Sequence, residues 1–520
     1  MRKIQGDFMR QFLLLSAFVG ATALIPVSAK ALDIAAPASD QSQYLQKLLS
    51  QAGAHIQSED FYKAIKSLRT LIDNPQFGSL PSDTQVSCYR LLSIALLNSD
   101  KPEEAYDALE RARRVPGDAT NYEYWRLRLA IAPRLKKHQD AVEALTVLAS
   151  RFPRRIQEID RNIVYSIVNL SNEIQDRRAS KRRLLEALLS APYTPQETGY
   201  SVESLSFELF EIYTSEGDIN KAATIAAAFV EPESLIKLRI DKRYIGYRQM
   251  TEAQIAAAYE AQLARHRDFA NRNPTLLAGP ELVAYDLNQL DRSEEALKVI
   301  DEALSKHDRA PVNRKPYDDL ATRLNWTLDT KSRILWELER YAEAERVLRM
   351  ARDVAVANGR DMVSQKINLA GLYTSLSRPN EALKEVGNVK VHQANLYGLM
   401  SMEGVKVCAY AQTGETDKMK ASLAVMLQNA KAAYPPLQSA LLCAEDSDTL
   451  AKVIIDKLED PDTRTYALMD VQNYLQRKWS TPEPLARQDI WKKTLNRADV
   501  QASILKYGEI ISLPIRPFYF

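Results

Sequence analysis

The stretch ILWELERYAEAERVLRMA, residues 334–351, contains two helical patterns joined by a short polar turn. The first pattern ends in a bulky apolar run, and the second begins with Tyr-Ala-Glu-Ala at 341–344. After the turn, apolar and small residues return at intervals of three and four, which places them on one face of an α-helix. The small residues on that face, such as Ala344 and Ala351, leave room for a neighbouring helix. The stretch therefore predicts a pair of packed antiparallel helices.

The same pattern recurs along much of the chain. Each occurrence has a bulky residue late in one helix, a polar turn and a small residue early in the next helix. The residues at this last position are Ala64, Ala105, Ala141, Ala222, Ala296, Ala344 and Ala382, and Met419 fits the pattern more loosely. Most intervals between them are 36 to 48 residues, and the two long intervals are about twice that length. Repeats of this kind cannot bury their apolar stripe alone, so they predict a stacked array with one continuous core.

These units resemble the tetratricopeptide repeat over roughly residues 44–430. The resemblance implies an all-α fold, a right-handed α-solenoid of antiparallel helix pairs whose first helices line a concave groove. It also implies a protein that binds a protein or peptide partner in that groove. The scarcity of glycine, 16 residues in 520, agrees with a helical fold because the usual share is about 7%.

Two regions depart from the repeat pattern. Residues 230–250 break its register, and a new helix is then predicted from Thr251, where Gln254 completes a capping box. A degenerate pair is expected between residues 160 and 190. The signature fades in residues 437–520, which we interpret as a helical C-terminal capping region with an apolar, proline-interrupted end.

The N-terminal residues 1–31 have the pattern of a secretory signal peptide. Basic residues precede an apolar run from Phe12 to Val27, and small residues then allow cleavage after Ala29 or Ala31. The run is shorter than the roughly 20 apolar residues that a membrane span needs. We therefore expect a periplasmic or secreted protein with no transmembrane segment after removal of the signal.

The start of translation has two candidates. Asp7 is unusual in the positively charged part of a signal peptide, and a start at Met9 instead of Met1 would remove it. Without residues 1–31 the chain keeps 65 basic and 66 acidic residues. Such a nearly neutral protein is not expected to bind nucleic acid.

The sequence contains no recognisable catalytic or cofactor-binding motif. It has neither a Gly-x-Ser-x-Gly elbow nor a glycine-rich phosphate loop, and no histidine is paired at metal-ligand spacing. The histidines are His55, His138, His266, His307 and His392. We therefore predict a non-catalytic interaction scaffold of the cell envelope that needs no cofactor and no metal. An envelope enzyme, or an accessory subunit of one, with an unrecognised site is the alternative.

Two basic clusters could form anionic-ligand surfaces. Residues 177–183 carry five basic side chains, but Glu173, Asp176 and Glu186 lie close to them in sequence, which favours a salt-bridged helix face. The run Lys237–Arg248 has only one acidic residue, Asp241, so a functional surface is an open alternative there.

The predicted helix around residues 324–338 carries the candidate binding surface. At about 100° per residue, its leucines form one stripe and a second stripe lies on the opposite side. The second stripe consists of Trp326, Asp329, Arg333 and Trp336, and Tyr285 and Asn288 on the preceding first helix would extend it. Tryptophan and arginine are frequent anchors of protein interfaces. The alternative is that both tryptophans pack against the next repeat.

The three cysteines, Cys88, Cys408 and Cys443, bear on the redox environment. Cys408 and Cys443 are 35 residues apart, about one repeat, so they could lie on neighbouring helices and form a disulfide. Three buried thiols are the alternative, because the axes of packed helices are usually about 8–10 Å apart.

Overall fold

The structure is a computed structural model that describes residues 40–516, apart from 118–119, 195–198, 200, 312–314, 359–362 and 478–479. The predicted signal peptide, residues 1–31, lies outside the described residues. The chain divides into two compact units, which meet in sequence between residues 195 and 196. We describe each unit separately.

The first unit consists of helices joined by short turns. Its α-helices are α1 (Asp40–Gln57), α2 (Phe61–Ile72), α3 (Ser82–Asn98), α4 (Pro102–Arg114), α5 (Tyr122–Ile131), α6 (His138–Arg151), α7 (Arg161–Leu170) and α8 (Arg177–Ser190). Single 3-10 turns occur at Phe77–Ser79, Ala132–Leu135, Ile156–Glu158 and Ser171–Glu173. The pairs α1–α2, α3–α4 and α5–α6 are each packed together, and each pair also contacts the next.

The second unit continues the same construction. Its first α-helices are α9 (Glu203–Glu216), α10 (Ile219–Ala227), α11 (Pro232–Ile240), α12 (Glu252–Arg272), α13 (Ala278–Gln289), α14 (Ser293–Asp308), α15 (Leu320–Glu337) and α16 (Tyr341–Ala357). They are followed by α17 (Val363–Ser375), α18 (Pro379–Gly387), α19 (Leu396–Thr413), α20 (Thr416–Gln428), α21 (Tyr434–Cys443) and α22 (Ser447–Glu459). Short 3-10 turns occur at Val391–Gln393 and Ala430–Ala432.

The C-terminal part of the second unit adds three helices and two very short strands. These are α23 (Arg464–Asp470), β1 (Asn473–Tyr474), α24 (Pro482–Leu495), α25 (Ala498–Tyr507) and β2 (Ser512–Leu513). The strands pair in parallel, with Asn473 opposite Ser512 and Tyr474 opposite Leu513.

The turns between paired helices share one backbone geometry. Among the described residues, nine such turns contain a residue with positive φ, five positions before the small residue of the repeat or its equivalent. They are Glu59, Asp100, Lys136, Gly217, Asp291, Glu339, Ser377, Gly414 and Glu445. In each turn the next residue donates its N–H to a carbonyl late in the first helix, as Arg340 does to Leu335 at 2.9 Å. This left-handed cap ends the first helix and starts the second without a loop.

The last of these turns, at Glu445, joins α21 to α22 in the region that the sequence assigns to the cap. No positive-φ residue is described between α7 and α8, where the sequence predicts a degenerate pair, and a 3-10 turn joins them instead. The capping box predicted at Thr251 is confirmed, since Thr251 and Gln254 exchange both hydrogen bonds at the start of α12.

The small residue of each repeat lies where two helices touch. Ala105 and Ala344 are fully buried, and a serine 12 positions earlier on the first helix donates to the carbonyl of each. The Oγ–O distances are 2.8 Å for Ser93 and 2.7 Å for Ser332. A larger side chain at the alanine would separate the two helices.

The structure confirms the all-α array of helix pairs, held by one apolar core that runs from α12 to α19 in the second unit. Within the described ranges, no helix is both long enough and apolar enough to cross a bilayer.

Candidate interaction surface

We use the name first-helix face for one surface of the second unit. It is formed by the first helices α13, α15 and α17 together with α11 and α12, and C-terminal residues of the unit pack on it. The predicted binding residues on α15 have different environments. Trp336 is 9% exposed and belongs to the apolar core, with its ring centroid 4.6 Å from that of Tyr341. Trp326 is partly exposed. The two tryptophans therefore do not form one open patch.

Asp329 connects α15 to α17, and Arg333 pairs with it within α15. The carboxylate of Asp329 is buried and accepts hydrogen bonds from Arg333 Nε at 2.9 Å and from Asn368 Nδ2, on α17, at 2.7 Å. Asn368 was not found by sequence reasoning, because its pairing depends on how α17 packs beside α15. The Asp329 carboxylate is thus a fixed polar contact between two first helices.

Tyr285 is the most exposed of the predicted site residues, at 44%. Its hydroxyl accepts from Gln289 Nε2 at 3.2 Å. Asn288 is partly buried, and its side-chain oxygen accepts from Ser293 Oγ at 2.8 Å. Burial raises the pKa of the neighbouring Tyr259 phenol, with further contributions from Tyr474 and Tyr285. The backbone carbonyl of Gln289, whose side chain donates to Tyr285, accepts from Arg516 N at 2.9 Å, so Tyr285 lies beside the point where the C-terminal residues cross α13.

The first-helix face is occupied by two parts of the chain, residues 471–477 and 508–516, which we call the C-terminal segment. Helices α24 and α25, which lie between these parts in sequence, pack against α22. The segment enters from α23, whose Thr465 donates from Oγ1 to the buried Asp241 carboxylate at 2.8 Å. It returns after α25 at Gly508, which forms an antiparallel bridge with Asp241. Here Glu509 N donates to Ile240 O at 2.9 Å, and Lys242 N donates to Tyr507 O at 3.1 Å.

Gly508 allows this close approach. A Cβ atom at this position would lie 2.5 Å from the carbonyl oxygen of Ile240 and would also meet the side chain of Leu468. Any other residue would therefore push the segment away from the end of α11.

Burial then alternates along residues 511–515, which include the strand Ser512–Leu513 and a bend at 514–515. Ile511, Leu513 and Ile515 are 4%, 2% and 0% exposed, whereas Ser512 and Pro514 face solvent. Such period-two burial is characteristic of an extended chain held on one side. Its backbone is also held: Ser512 N donates to Glu252 Oε1 at 3.2 Å, and Arg516 N donates to Gln289 O at 2.9 Å.

Glu337, at the end of α15, anchors the segment electrostatically. Its carboxylate is almost fully buried, with Arg477 Nη2 at 3.0 Å from Oε1 and Arg516 in contact with Oε2. Arg516 also pairs with Asp291, in the turn after α13. Burial lowers the pKa of Arg477 to about 10, and the Glu337 carboxylate opposes this effect. One carboxylate thus fixes two parts of the C-terminal segment.

The basic run Lys237–Arg248 belongs to this packing. Lys237 is buried, 2.8 Å from Glu233, and lies over the rings of Phe207 and Tyr466. Arg243 donates to Asp241, to Thr465 Oγ1 and to the Pro461 carbonyl. Arg239 pairs with Glu509, and Arg248 donates to the Phe229 carbonyl. Of these four side chains, Arg239 contacts the C-terminal segment, Lys237 and Arg243 contact α23 or the residues just before it, and Arg248 contacts the loop after α10.

The cluster at residues 177–183 has acidic partners. Arg182 lies 3.8 Å from Glu186, and Arg183 lies 3.9 Å from Asp176. This agrees with the interpretation as a salt-bridged helix face.

A disulfide joins Cys408, on α19, to Cys443, at the end of α21. The Cα atoms are 4.9 Å apart, closer than the usual separation of helix axes. Gly404 explains this approach, because a Cβ there would lie 3.3 Å from the Pro436 carbonyl oxygen. Cys88 is a buried free thiol.

A buried carboxylate on α13 binds two polar side chains of α12. His266 Nδ1 lies 2.5 Å from Asp286 Oδ2, and Gln262 donates to the other oxygen at 2.6 Å, so Asp286 joins α12 to α13. In the part of the chain that the structure describes, no group of three His, Cys, Asp or Glu side chains could hold a metal ion.

Comparison with known proteins gives matches among solved structures only. A tetratricopeptide repeat protein from Parabacteroides merdae is 13% identical, with a TM-score of 0.34 over 64% of this chain and 98% of its own. Apo RapI is 10% identical, with a TM-score of 0.32 over 90% of this chain and 99% of its own. A Rap protein complexed with competence and sporulation factor is 11% identical, with a TM-score of 0.29 over 87% and 98%. No protein-family model and no curated protein matches.

Proposed function

We propose that this tetratricopeptide-like protein is a non-catalytic scaffold of the cell envelope that binds an extended segment of a partner protein on its first-helix face. The observation that carries the proposal is that this face already holds an extended segment of the chain itself, residues 509–516. Backbone hydrogen bonds, alternating buried side chains and an arginine–carboxylate contact hold it there. These are the contacts by which proteins recognise extended peptides.

The envelope setting is supported by two features of the sequence. Residues 1–31 have the pattern of a secretory signal, and the pairing of Cys408 with Cys443 suits an oxidising compartment. Disulfides are rare in reducing compartments, so both features favour an exported protein.

Site-specific photo-crosslinking in the source cells tests the proposal. Tyr285 on α13 is replaced by a photo-reactive amino acid, and Met350 on α16, which is 50% exposed, is replaced in the matched control. We expect a covalent adduct with one identified protein from position 285 and none from position 350. If neither position gave an adduct while both variants remained folded and exported, the proposed function would be wrong.

A further inference from the structure

The C-terminal residues 509–516, with the sequence EIISLPIR, make contacts of two different strengths. The ion pairs at the two ends are partly exposed: Glu509 with Arg239, and Arg516 with Asp291. Exposed ion pairs contribute little, about 0.2–1 kcal/mol. The segment also makes hydrogen bonds with residues 472–475: Ile511 N donates to Gln472 Oε1 at 2.8 Å, and Asn473 N and Leu475 N donate to the carbonyls of Ile511 and Ile515 at 3.1 and 2.9 Å. The stronger contacts are the buried ones, namely the side chains at 511, 513 and 515 and the ion pair of Arg516 with the buried Glu337 carboxylate.

Glu337 is in contact with two arginines, and only one of these contacts is lost when residues 509–516 detach. Arg477 contacts Glu337 Oε1, whereas Arg516 contacts Oε2 of the same carboxylate. An unpaired buried carboxylate is strongly destabilising. Because Arg477 stays beside Glu337, departure of Arg516 would not leave that carboxylate without a countercharge.

Gly508 is the hinge at which residues 509–516 would separate from α25. Lys242 N is bonded to Tyr507 O on the helix side of this residue, while the contacts of the extended segment begin at Glu509. Residues 509–516 could thus detach while α25 remains packed against α22.

We propose that residues 509–516 occupy the binding site when the partner is absent. The partner displaces these residues by making the same contacts with the site. The inference rests on the proposed function and specifies its partner. That partner is an extended protein segment with branched apolar residues at alternate positions, followed directly by an arginine. Its apolar side chains replace those of Ile511, Leu513 and Ile515, and its guanidinium replaces that of Arg516 between Glu337 and Asp291.

A labelled peptide tests the exchange with the full chain. The probe is a fluorescein-labelled peptide of residues 509–516, and fluorescence anisotropy measures its binding to the wild type and to the Leu513→Asp, Ile515→Asp variant. Burying two carboxylates would be costly, so this variant releases its own segment. Because its site is open, we expect this variant to bind the peptide at least about tenfold more tightly than the wild type. A tenfold change corresponds to about 1.4 kcal/mol.

Two controls separate the exchange from non-specific binding. Pro514→Asp changes an exposed position of the same segment and should behave as the wild type. A peptide with Arg516→Ala should bind the released variant at least about tenfold more weakly than the native peptide. Equal binding of the native peptide to the wild type and to the released variant would overturn the inference. So would no binding by a released variant that keeps its helical circular dichroism.

A second measurement uses the wild type and therefore does not depend on whether the double variant folds. Hydrogen exchange of the wild type is followed by mass spectrometry in the presence of excess isotope-labelled peptide, whose fragments are distinguished by mass. We expect faster exchange in the protein's own residues 509–516, and unchanged exchange there would contradict the inference.

The two proposals fail in different ways. An adduct at position 285 without peptide exchange would end this inference alone, because the partner would bind beside the segment and not in its place. Peptide exchange without any cellular adduct would support the exchangeable segment and end the proposed scaffold function.

Discussion

Trp326 and Trp336 lie on the same side of one helix in the sequence pattern, but the fold gives them different surroundings. Trp336 packs against Tyr341 within the core, and Trp326 keeps part of its surface in solvent. The difference arises because Trp336 is close to the turn after α15, where the second helix of the pair begins. A residue's place along a helix thus matters as much as its side of the helix.

Alanine substitutions should separate these two tryptophans. We expect Trp336→Ala to lower the free energy of unfolding by about 3–5 kcal/mol, as for other large core side chains. Trp326→Ala, its matched control on the same helix, should cost less than about 2 kcal/mol. Urea unfolding followed by circular dichroism measures both. Equal losses would show that Trp326 is also a core residue.

The cysteines give a second residue-scale prediction. Burial raises the pKa of the Cys88 thiol to about 12, so it should resist alkylation in the native protein. Denatured protein should show one alkylated thiol without reductant and three with reductant, as measured by intact mass. Three modified thiols without reductant would mean that Cys408 and Cys443 do not pair in the isolated protein.

At the scale of elements, successive pairs are also joined by polar contacts. Glu345 on α16 accepts from Tyr373 on α17 at 3.1 Å, and from Arg378, just before α18, at 2.5 Å. Burial alone would raise the pKa of this carboxyl, but the hydrogen bonds from Arg378 and Arg349 outweigh it and lower the pKa. The ionised carboxylate therefore stabilises the contact between α16 and the next pair.

The effect of Glu345→Gln should depend on pH. A lowered folded-state pKa contributes stability above the unfolded pKa of about 4.3, and that stability is lost as the pH falls through the folded-state value. We expect the variant to be less stable than the wild type by about 1–2 kcal/mol at pH 7. The difference should shrink below about pH 4. Thermal unfolding at several pH values measures it, with the exposed Glu302→Gln as control. A difference independent of pH would contradict this explanation.

At the scale of the second unit, the C-terminal segment connects helices far apart in sequence. Arg239 contacts Glu509 across 270 positions, and Glu337 contacts Arg516 across 179. Repeat arrays usually have contacts only between neighbours. The second unit is therefore closed by its own C-terminal segment, and we expect its helices to unfold together.

Gly508→Ala tests this closure. The added Cβ would meet Ile240 O and Leu468, so we expect a loss of about 1–3 kcal/mol, as for overpacked sites. Hydrogen exchange should become faster both in residues 232–240 and in residues 509–516. The control is Gly371→Ala on α17, where no atom lies within 4 Å of the added Cβ, and it should unfold like the wild type or slightly later. Faster exchange confined to residues 509–516 would show that the segment does not stabilise α11.

The predicted signal peptide can be tested at the N-terminus of the protein. N-terminal sequencing of protein released by osmotic shock should give Lys30 or Leu32 as the first residue, because small residues precede both positions. Protein that retains residues 1–31 and stays with the membrane fraction would contradict the signal peptide.

The sequence by itself determined the helix pairs, their turns and the small residues between them, because these depend on contacts within about one repeat. The left-handed turn residue, five positions before each small residue, is such a local feature. Only the tertiary structure decided which groups Lys237, Glu337 and residues 509–516 contact. The apolar alternation of Ile511, Leu513 and Ile515 was a signal for an extended, half-buried segment, but it could not indicate where that segment binds. Its site is formed by α11, α12, α13 and α15, which are distant in sequence and come together only when the second unit is folded.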